Sequence, residues 1–141
     1  MATILCATRG GEASIHTQEY AIQAAKERGA DVVFFYVTDV RFLNQAGGAI
    51  VVDVATEIDH MGEFLLLMAK ERAEKAGVDA STLLKRGVFR EALVEAVREL
   101  DASLVVMGTP GEASVTVREM MEEIAQAVQE QTGVEAILVG D

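Results

Sequence analysis

The sequence predicts an α/β protein with a doubly wound, five-stranded parallel sheet of strand order 3-2-1-4-5 and helices on both faces, a flavodoxin-like (Rossmann-like) arrangement. Short apolar runs rich in β-branched residues alternate along the chain with longer segments in which apolar residues recur every three or four positions. The apolar runs show little internal alternation, as expected for strands buried on both faces of a parallel sheet. Right-handed crossovers and short connections then favour this one topology.

Length, composition and charge narrow the class of protein further. The 141 residues are expected to form one domain, 1–141. No uncharged apolar run approaches the length of a bilayer span, and the N-terminus leads straight into a strand, which predicts a cytoplasmic protein without membrane contact. The formal net charge of −11 argues against nonspecific binding to nucleic acid.

The elements are expected in a regular order. The first half is predicted to contain a strand over 3–8, a helix over 13–28 that Gly29 closes, a strand over 32–37, and an irregular segment over 39–55. The second half is predicted to contain a helix over 57–76, a strand over 82–88, a helix through Leu93, Ala96, Val97 and Leu100, a strand over Leu104–Gly108, a helix that opens at Thr116, and a strand over Ala136–Val139. Lys85 and Arg86 suit the edge of a sheet.

The helix predicted over 57–76 carries more apolar residues than one sheet face needs. Its core stripe is assigned to Ile58, Met61, Leu65, Met68 and Ala69. Phe64, Leu66 and Leu67 broaden the apolar surface and indicate a second contact. The apolar residues at 49–52 are likewise expected to pack over this domain or a partner.

The stretch Leu104–Gly108 and the turn to Gly111 carry the strongest functional signal. A buried strand there meets a glycine-bearing turn and then a helix, whose Thr116 and Glu119 have the spacing of a capping box. In the predicted strand order, strands one and four are neighbours, so the loops over 9–14 and 108–116 meet at the carboxyl edge of the sheet. Open α/β sheets bind ligands in that crevice.

Both loops carry the same four residues, Gly-Glu-Ala-Ser, at 11–14 and 111–114. One interpretation is that each is simply a glycine turn that enters a helix. The other is a matched pair of hydroxyl-bearing loops that face one ligand. Arg9 is the only cation in either loop, and Glu12 and Glu112 count against a phosphate there.

Four segments resemble universal stress proteins, in order along the whole chain. They are ILCATRGGEAS at 4–14, YVTD at 36–39, LVVMGTPG at 104–111 and AILV at 136–139. The resemblance implies the sheet order given above, a stress-linked regulatory role, and a dimer formed through the last strand. The interface would then consist of Ile137, Leu138 and Val139.

The resemblance also implies the adenine-nucleotide crevice of one branch of the family. Its residues here would be Ala7, Thr8, Arg9, Val37, Gly108 and Gly111. Nine residues after the Gly-x-x-Gly turn, that branch has glycine followed by serine or threonine, whereas this chain has Met121 and Glu122. Arg9 stands where the family usually has an aspartate, and Pro110 contributes no amide donor. These departures favour the loss of tight ATP binding.

No set of residues in the sequence has the spacing of a catalytic or metal centre. The single Cys6 lies in an apolar run, where an inert thiol is expected, and His16 and His60 share no ligand-like spacing. We therefore expect no metal, no cofactor and no enzyme, but a non-catalytic stress-response protein that acts as a homodimer. The alternatives are a protein that binds ATP, AMP or another small anion through the Gly108–Gly111 turn and Arg9, and an enzyme.

Overall fold

A computed structural model describes residues 2–8, 12–38, 48–109 and 115–139. Strands and helices alternate through these ranges as β1 (Thr3–Ala7), α1 (Glu12–Arg28), β2 (Asp31–Thr38), α2 (Gly48–Lys75), β3 (Ala80–Arg86), α3 (Phe89–Leu100), β4 (Leu104–Gly108), α4 (Val115–Thr132) and β5 (Ala136–Val139). Gly29 adopts a positive φ of 63° directly after α1, so the predicted helix end is confirmed.

The five strands form one parallel sheet of order β3-β2-β1-β4-β5, which confirms the predicted topology. β1 is the central strand. Its Ile4 lies opposite Val32 of β2 on one side and Leu104 of β4 on the other. The adjacency of the first and fourth strands, on which the predicted crevice depends, is therefore present.

Alternate residues of the central strands enter two separate cores, because successive side chains of a strand point to opposite faces. Leu5, Val33 and Val105 pack under α3 and α4. Ile4, Val32 and Leu104 pack under α1 and α2. These strand residues are at most 5% exposed, as expected for a parallel sheet covered on both faces.

The predicted start of the second helix is wrong. α2 begins at Gly48, so residues 48–55 are helical, and only 39–47 of the predicted irregular segment lie outside the described residues. The two glycines at 47 and 48 and the valines that follow have low helix propensity, which obscured the helix in the sequence. Tertiary packing overrides that preference, since Ala55 is only 3% exposed.

The predicted core stripe of this helix is confirmed at Ala69 but wrong at Met61 and Met68. Met61 and Met68 are 63% and 45% exposed, whereas Leu66 is 2% exposed and faces the sheet beside Ala69 and Ala73. The helix lies so close to the sheet that a Cβ atom on Gly62 would be 2.6 Å from Tyr36 Cδ1. The buried face therefore consists of small residues together with Leu66, whereas Met61, Phe64, Leu67 and Met68 face outward.

Smaller differences affect two further elements, β3 and α4. β3 covers Ala80–Arg86 rather than 82–88, but it pairs with β2 alone among the described strands, which confirms its place at an edge. α4 begins at Val115, so Thr116 lies within the helix rather than at its cap. Met120 of α4 is a large apolar residue that is 47% exposed.

Candidate functional site

The carboxyl edge of the sheet brings together four of the six residues predicted to form the crevice. Ala7 ends β1, Thr8 follows it, Val37 is the penultimate residue of β2, and Gly108 ends β4. The amide of Thr8 donates a 2.9 Å hydrogen bond to the carbonyl of Phe35, which continues the sheet ladder to the rim. The remaining two, Arg9 and Gly111, lie outside the described residues, as do the matched loop residues at 11 and 111–114.

A cavity of about 460 Å³ opens at this edge, on the α3 and α4 side of the sheet. It lies between the ends of β1 and β2, the start of α3 and the first half of α4. Its lining consists of Thr8, Tyr36, Val37, Val88, Phe89, Arg90, Met120, Met121, Glu123 and Ile124. Its volume falls within the range of pockets that hold small molecules. Thr8 and Val37 are the predicted residues that line it.

Gly108 contributes to this edge through close packing. A Cβ atom at this position would overlap Thr17 Oγ1 of α1. No positive φ is found at Gly108, in contrast to Gly29, Gly77, Gly87 and Gly133. The glycine that the sequence associated with a turn is therefore needed because α1 lies directly against the end of β4.

The hydroxyl of Thr8 is held by a chain of buried and half-buried polar groups. Gln18 Nε2 of α1 donates a 2.9 Å hydrogen bond to Thr8 Oγ1, and Arg72 Nη1 of α2 donates to Gln18 Oε1. Thr8 and Gln18 are both only 5% exposed. Because Thr8 Oγ1 accepts this bond, the hydroxyl keeps its own hydrogen for donation. The crevice floor thus presents a hydroxyl that can donate to a ligand.

The lining has little net charge. Arg90, at the second position of α3, is the cation in it, and Glu123 of α4 is the carboxylate. α3 begins at the cavity wall behind Val88, an N-cap residue whose side chain forms no capping hydrogen bond. The partial positive charge of a helix N-terminus therefore lies beside Arg90. The other helix residues of the lining are apolar.

Met121 occupies the position at which the resemblance implies a glycine. Its side chain is 2% exposed and packs in the core between the sheet, α3 and α4. Glu122, where serine or threonine is implied, is exposed on the same helix. Backbone approach of a phosphate group at this point of α4 would require the Met121 side chain to leave the core.

A cluster of charged groups secures the rim next to Val37. Thr38 Oγ1 donates a 2.7 Å hydrogen bond to Asp59 Oδ1 of α2, and Arg86 Nε donates a 2.7 Å bond to Asp59 Oδ2. Partial burial acts to raise the pKa of Asp59, but the hydrogen bonds from Arg86 and Thr38 outweigh it, and the pKa lies below its ordinary value. The cluster ties α2 to the ends of β2 and β3.

Sequence reasoning missed the cavity residues on α3 and α4, namely Val88, Phe89, Arg90, Met120 and Glu123. The strand was predicted to continue to Val88, which placed the helix start too late. Gly87, with a φ of 140°, marks the actual end of the strand region and was the available signal.

Other chemically reactive groups lie apart from the cavity. Cys6 is fully buried, and burial raises the pKa of its thiol far above its ordinary value. Among the residues described, no three histidine, cysteine or carboxylate side chains are grouped closely enough to hold a metal ion. No helix within the described ranges is long and apolar enough to cross a membrane.

Comparison with known proteins agrees with this architecture. The model of the Universal stress protein family matches residues 1–128. The chain belongs to the universal stress protein family. It is 30% identical over 126 residues to the universal stress protein MJ0531 of Methanocaldococcus jannaschii, and the match covers 89% of this chain and 74% of that protein.

Solved structures of universal stress proteins share the fold over nearly the whole chain. A family member from Burkholderia pseudomallei has a TM-score of 0.73 and 26% identity, with 98% of this chain and 95% of that chain covered. The universal stress protein from Archaeoglobus fulgidus, solved in complex with dAMP, has a TM-score of 0.63 and 16% identity, with 98% and 96% covered.

Proposed function

We propose that this universal stress protein is a non-catalytic regulatory protein that acts as a homodimer and whose crevice does not bind ATP tightly. The observation that carries the proposal of weak ATP binding is the burial of Met121. Its side chain occupies the point where a phosphate anchor would be required. A triphosphate needs several donors or cations to replace its hydration. The described lining offers Arg90 and the start of α3, with Glu123 opposing them.

The absence of catalysis is supported by the composition of the lining. General acid–base or nucleophilic chemistry needs a nucleophile and a base within hydrogen-bonding reach of each other. Cys6 is buried as a thiol, and neither His16 nor His60 lines the cavity. Arg90, Tyr36 and Glu123 are the titratable side chains in the lining, and Thr8 Oγ1 accepts from the amide of Gln18, which is not a general base.

The homodimer is supported by the partial exposure of the apolar strand β5. Its four residues are all partly exposed, although Ile137, Leu138 and Val139 are large and apolar. Within the described part of the sheet, β5 pairs with β4 on one side only. An apolar outer strand without charge or proline is most simply completed by its own copy across a two-fold axis.

A nucleotide of lower charge is the second candidate, and one observation favours it. The cavity has an apolar wall and a Thr8 hydroxyl donor, which suit a base or nucleoside better than a triphosphate. The relative from Archaeoglobus fulgidus, which shares the fold, was solved with dAMP. AMP or a nucleoside would place at most two negative charges near Arg90.

Calorimetry with ATP, AMP and adenosine, each with magnesium, separates these functions. We expect no ATP binding at micromolar concentration, and a dissociation constant near 1 μM, about −8 kcal/mol, would contradict the proposal. Native mass spectrometry of the purified protein provides a second check, because a retained monophosphate would establish the second candidate.

The variant Met121→Gly with Glu122→Ser tests the cause of weak ATP binding. It is expected to strengthen binding at least about tenfold, equivalent to about 1.4 kcal/mol, if the side chains at these positions are the obstacle. Ala127→Gly with Glu130→Ser is the matched control, because it introduces the same residue types farther along α4. Equal changes in both variants would show that a loosened helix is responsible.

A further inference from the structure

The outer face of α2 carries four large apolar side chains that are exposed. Met61, Phe64, Leu67 and Met68 are 63%, 64%, 59% and 45% exposed. Their spacing of three, four and seven residues places them on one side of the helix, opposite Leu66, Ala69 and Ala73. We call these four residues the α2 outer face. A contiguous patch of this kind marks an interaction site more often than isolated exposed residues do.

This face is remote from both β5 and the cavity. α2 packs on β2 and β3, whereas β5 is at the opposite edge of the sheet. Four inter-strand spacings separate β3 from β5, about 19 Å. The cavity lies on the α3 and α4 side of the sheet. The α2 outer face therefore requires an occupant of its own.

We propose that a second copy of this chain binds the α2 outer face, with the two α2 helices antiparallel around a two-fold axis near Leu66. The charges beside the patch are self-complementary in this orientation. Residues 57–63 carry carboxylates at 57, 59 and 63 and no lysine or arginine, whereas residues 70–75 carry three cations, at 70, 72 and 75, against two carboxylates, at 71 and 74, and so have a net charge of +1. A two-fold axis turns the acidic half of one helix toward the basic half of the other.

One register satisfies the charges and the apolar residues together. The pair Glu57 with Lys75 of the second copy and the pair Glu63 with Lys70 of the second copy have midpoints within about half a residue of each other, at the level of Leu66. The pair Phe64 with Met68 of the second copy has its midpoint at Leu66 as well. Leu67 is one residue from this level, so it lies close to its own counterpart in the second copy. Glu63 and Lys70 are seven residues apart, on the same flank of the helix, as antiparallel pairing requires.

Existing ion pairs do not prevent this arrangement. Lys75 Nζ lies 3.0 Å from Glu71 Oε1, but both side chains are well exposed, at 75% and 66%. An exposed pair of this spacing is worth little, so Lys75 is free to exchange partners at small cost. Asp59, by contrast, is held by Arg86 and Thr38 and is not available.

The exposed area is consistent with a weak but specific interface. At roughly 200 Å² for a fully exposed large side chain, the four fractions correspond to about 460 Å² of apolar surface on each chain. Two copies would bury about 900 Å² from these residues alone, and the flanking polar residues bring the total near the lower end of specific interfaces, about 1,200 Å². We expect association at micromolar to millimolar concentration.

Sedimentation of the full chain in about 0.15 M salt, where the net charge is screened, tests the proposal. Phe64→Glu should lower the sedimenting mass, because it removes the α2 interface. The variant should then sediment as two chains if the β5 interface forms and as one chain if it does not. Tyr20→Glu is the control, because Tyr20 is a 43% exposed aromatic residue on α1, and its substitution should not change the mass. An unchanged mass for Phe64→Glu would overturn the proposal whatever Leu138→Lys shows at β5.

Charge reversal distinguishes pairing from a general effect on folding. Glu63→Lys and Lys70→Glu should each weaken the association about three- to tenfold, and the double variant should restore it. Restoration is not expected if the two residues act only within one chain. If both single variants and the double variant all associate as the parent does, the antiparallel register is wrong.

Cross-linking tests the register directly. Cys6 is buried and inert, so Leu67→Cys introduces one reactive thiol, close to its counterpart in the proposed dimer. With a mild oxidant it should form a disulfide-linked dimer at least about tenfold faster than Glu27→Cys, an exposed position on α1. Equal rates for the two variants would contradict the proposed axis.

Discussion

The two edges of the sheet differ in how they are completed. At the β3 edge, Lys85 Nζ lies 2.6 Å from Glu95 Oε1 and 3.0 Å from Glu99 Oε1 of α3, and Arg86 pairs with Asp59 of α2. At the β5 edge, Ala136–Val139 contain no charged residue. Charges on an edge strand oppose pairing with another strand. The β3 edge is thus closed by ion pairs to its own helices, whereas the β5 edge remains suited to a partner strand.

The largest expected effect comes from placing a charge on the open edge. Leu138→Lys should weaken the proposed β5 dimer at least tenfold, because two lysines related by the two-fold axis would be buried close together. Sedimentation at micromolar concentration should then give a lower mass than that of the parent, because the β5 interface no longer forms. Thr82→Lys on β3 is the matched control and should have no effect. A parent protein that sediments at the monomer mass of 15.1 kDa would remove the basis of the comparison.

An effect of intermediate size concerns pH and the ion pairs of the β3 edge. The pKa of Asp59 is lower in the folded chain than in the unfolded chain, so its contribution to stability is present above the unfolded pKa, about 3.9, and is lost as pH falls through the folded pKa. Asp59→Asn should therefore lower the melting temperature by a few degrees at pH 7. The difference from the parent should narrow below about pH 4.

Thermal unfolding between pH 2 and 8 measures this dependence. Asp79→Asn serves as the control, since Asp79 is an exposed carboxylate and its variant should have nearly the melting temperature of the parent at pH 7. A difference between Asp59→Asn and the parent that stays constant down to pH 2 would show that the carboxylate charge does not stabilise this edge.

The smallest expected effect is removal of the charge on the closed edge. Lys85→Leu should change the melting temperature by no more than about 2 °C, because its partners Glu95 and Glu99 are 60% and 50% exposed and ion pairs to such carboxylates contribute little to stability. It should, however, make the β3 edge resemble the β5 edge. Light scattering at high concentration should show additional association relative to the parent, and identical scattering would indicate that sterics rather than charge protects this edge.

The strands were predictable from the sequence because their environment is uniform. Val105 and Phe34 are buried on both sides by helices, so an unbroken apolar run was sufficient evidence. Once the strand order was known, Ala7, Thr8, Val37 and Gly108 had to lie at one edge. This part of the candidate site follows from topology, without any information about side-chain contacts.

The orientation of α2 was not predictable in the same way. Counting apolar residues assigned Met61 and Met68 to the core, because it assumes that the largest apolar residues are buried. Close approach of the helix to Tyr36 instead selects Gly62, with alanines at 69 and 73, for the buried face. The distance between the helix and the sheet determines which residues of α2 are buried. An amphipathic pattern in the sequence does not specify that distance. The cavity wall at Arg90 was missed for a related reason, since it depends on where α3 begins.

The chain of hydrogen bonds from Arg72 through Gln18 to Thr8 has a thermodynamic consequence for the crevice. A flexible side chain that becomes ordered on binding costs a ligand about 0.5–1.5 kcal/mol of affinity. Here the Thr8 side chain is already held when the chain folds, because the Gln18 amide donates to its oxygen. The entropy of ordering this side chain is therefore lost during folding rather than during ligand binding. A ligand that accepts from Thr8 meets a preorganised contact.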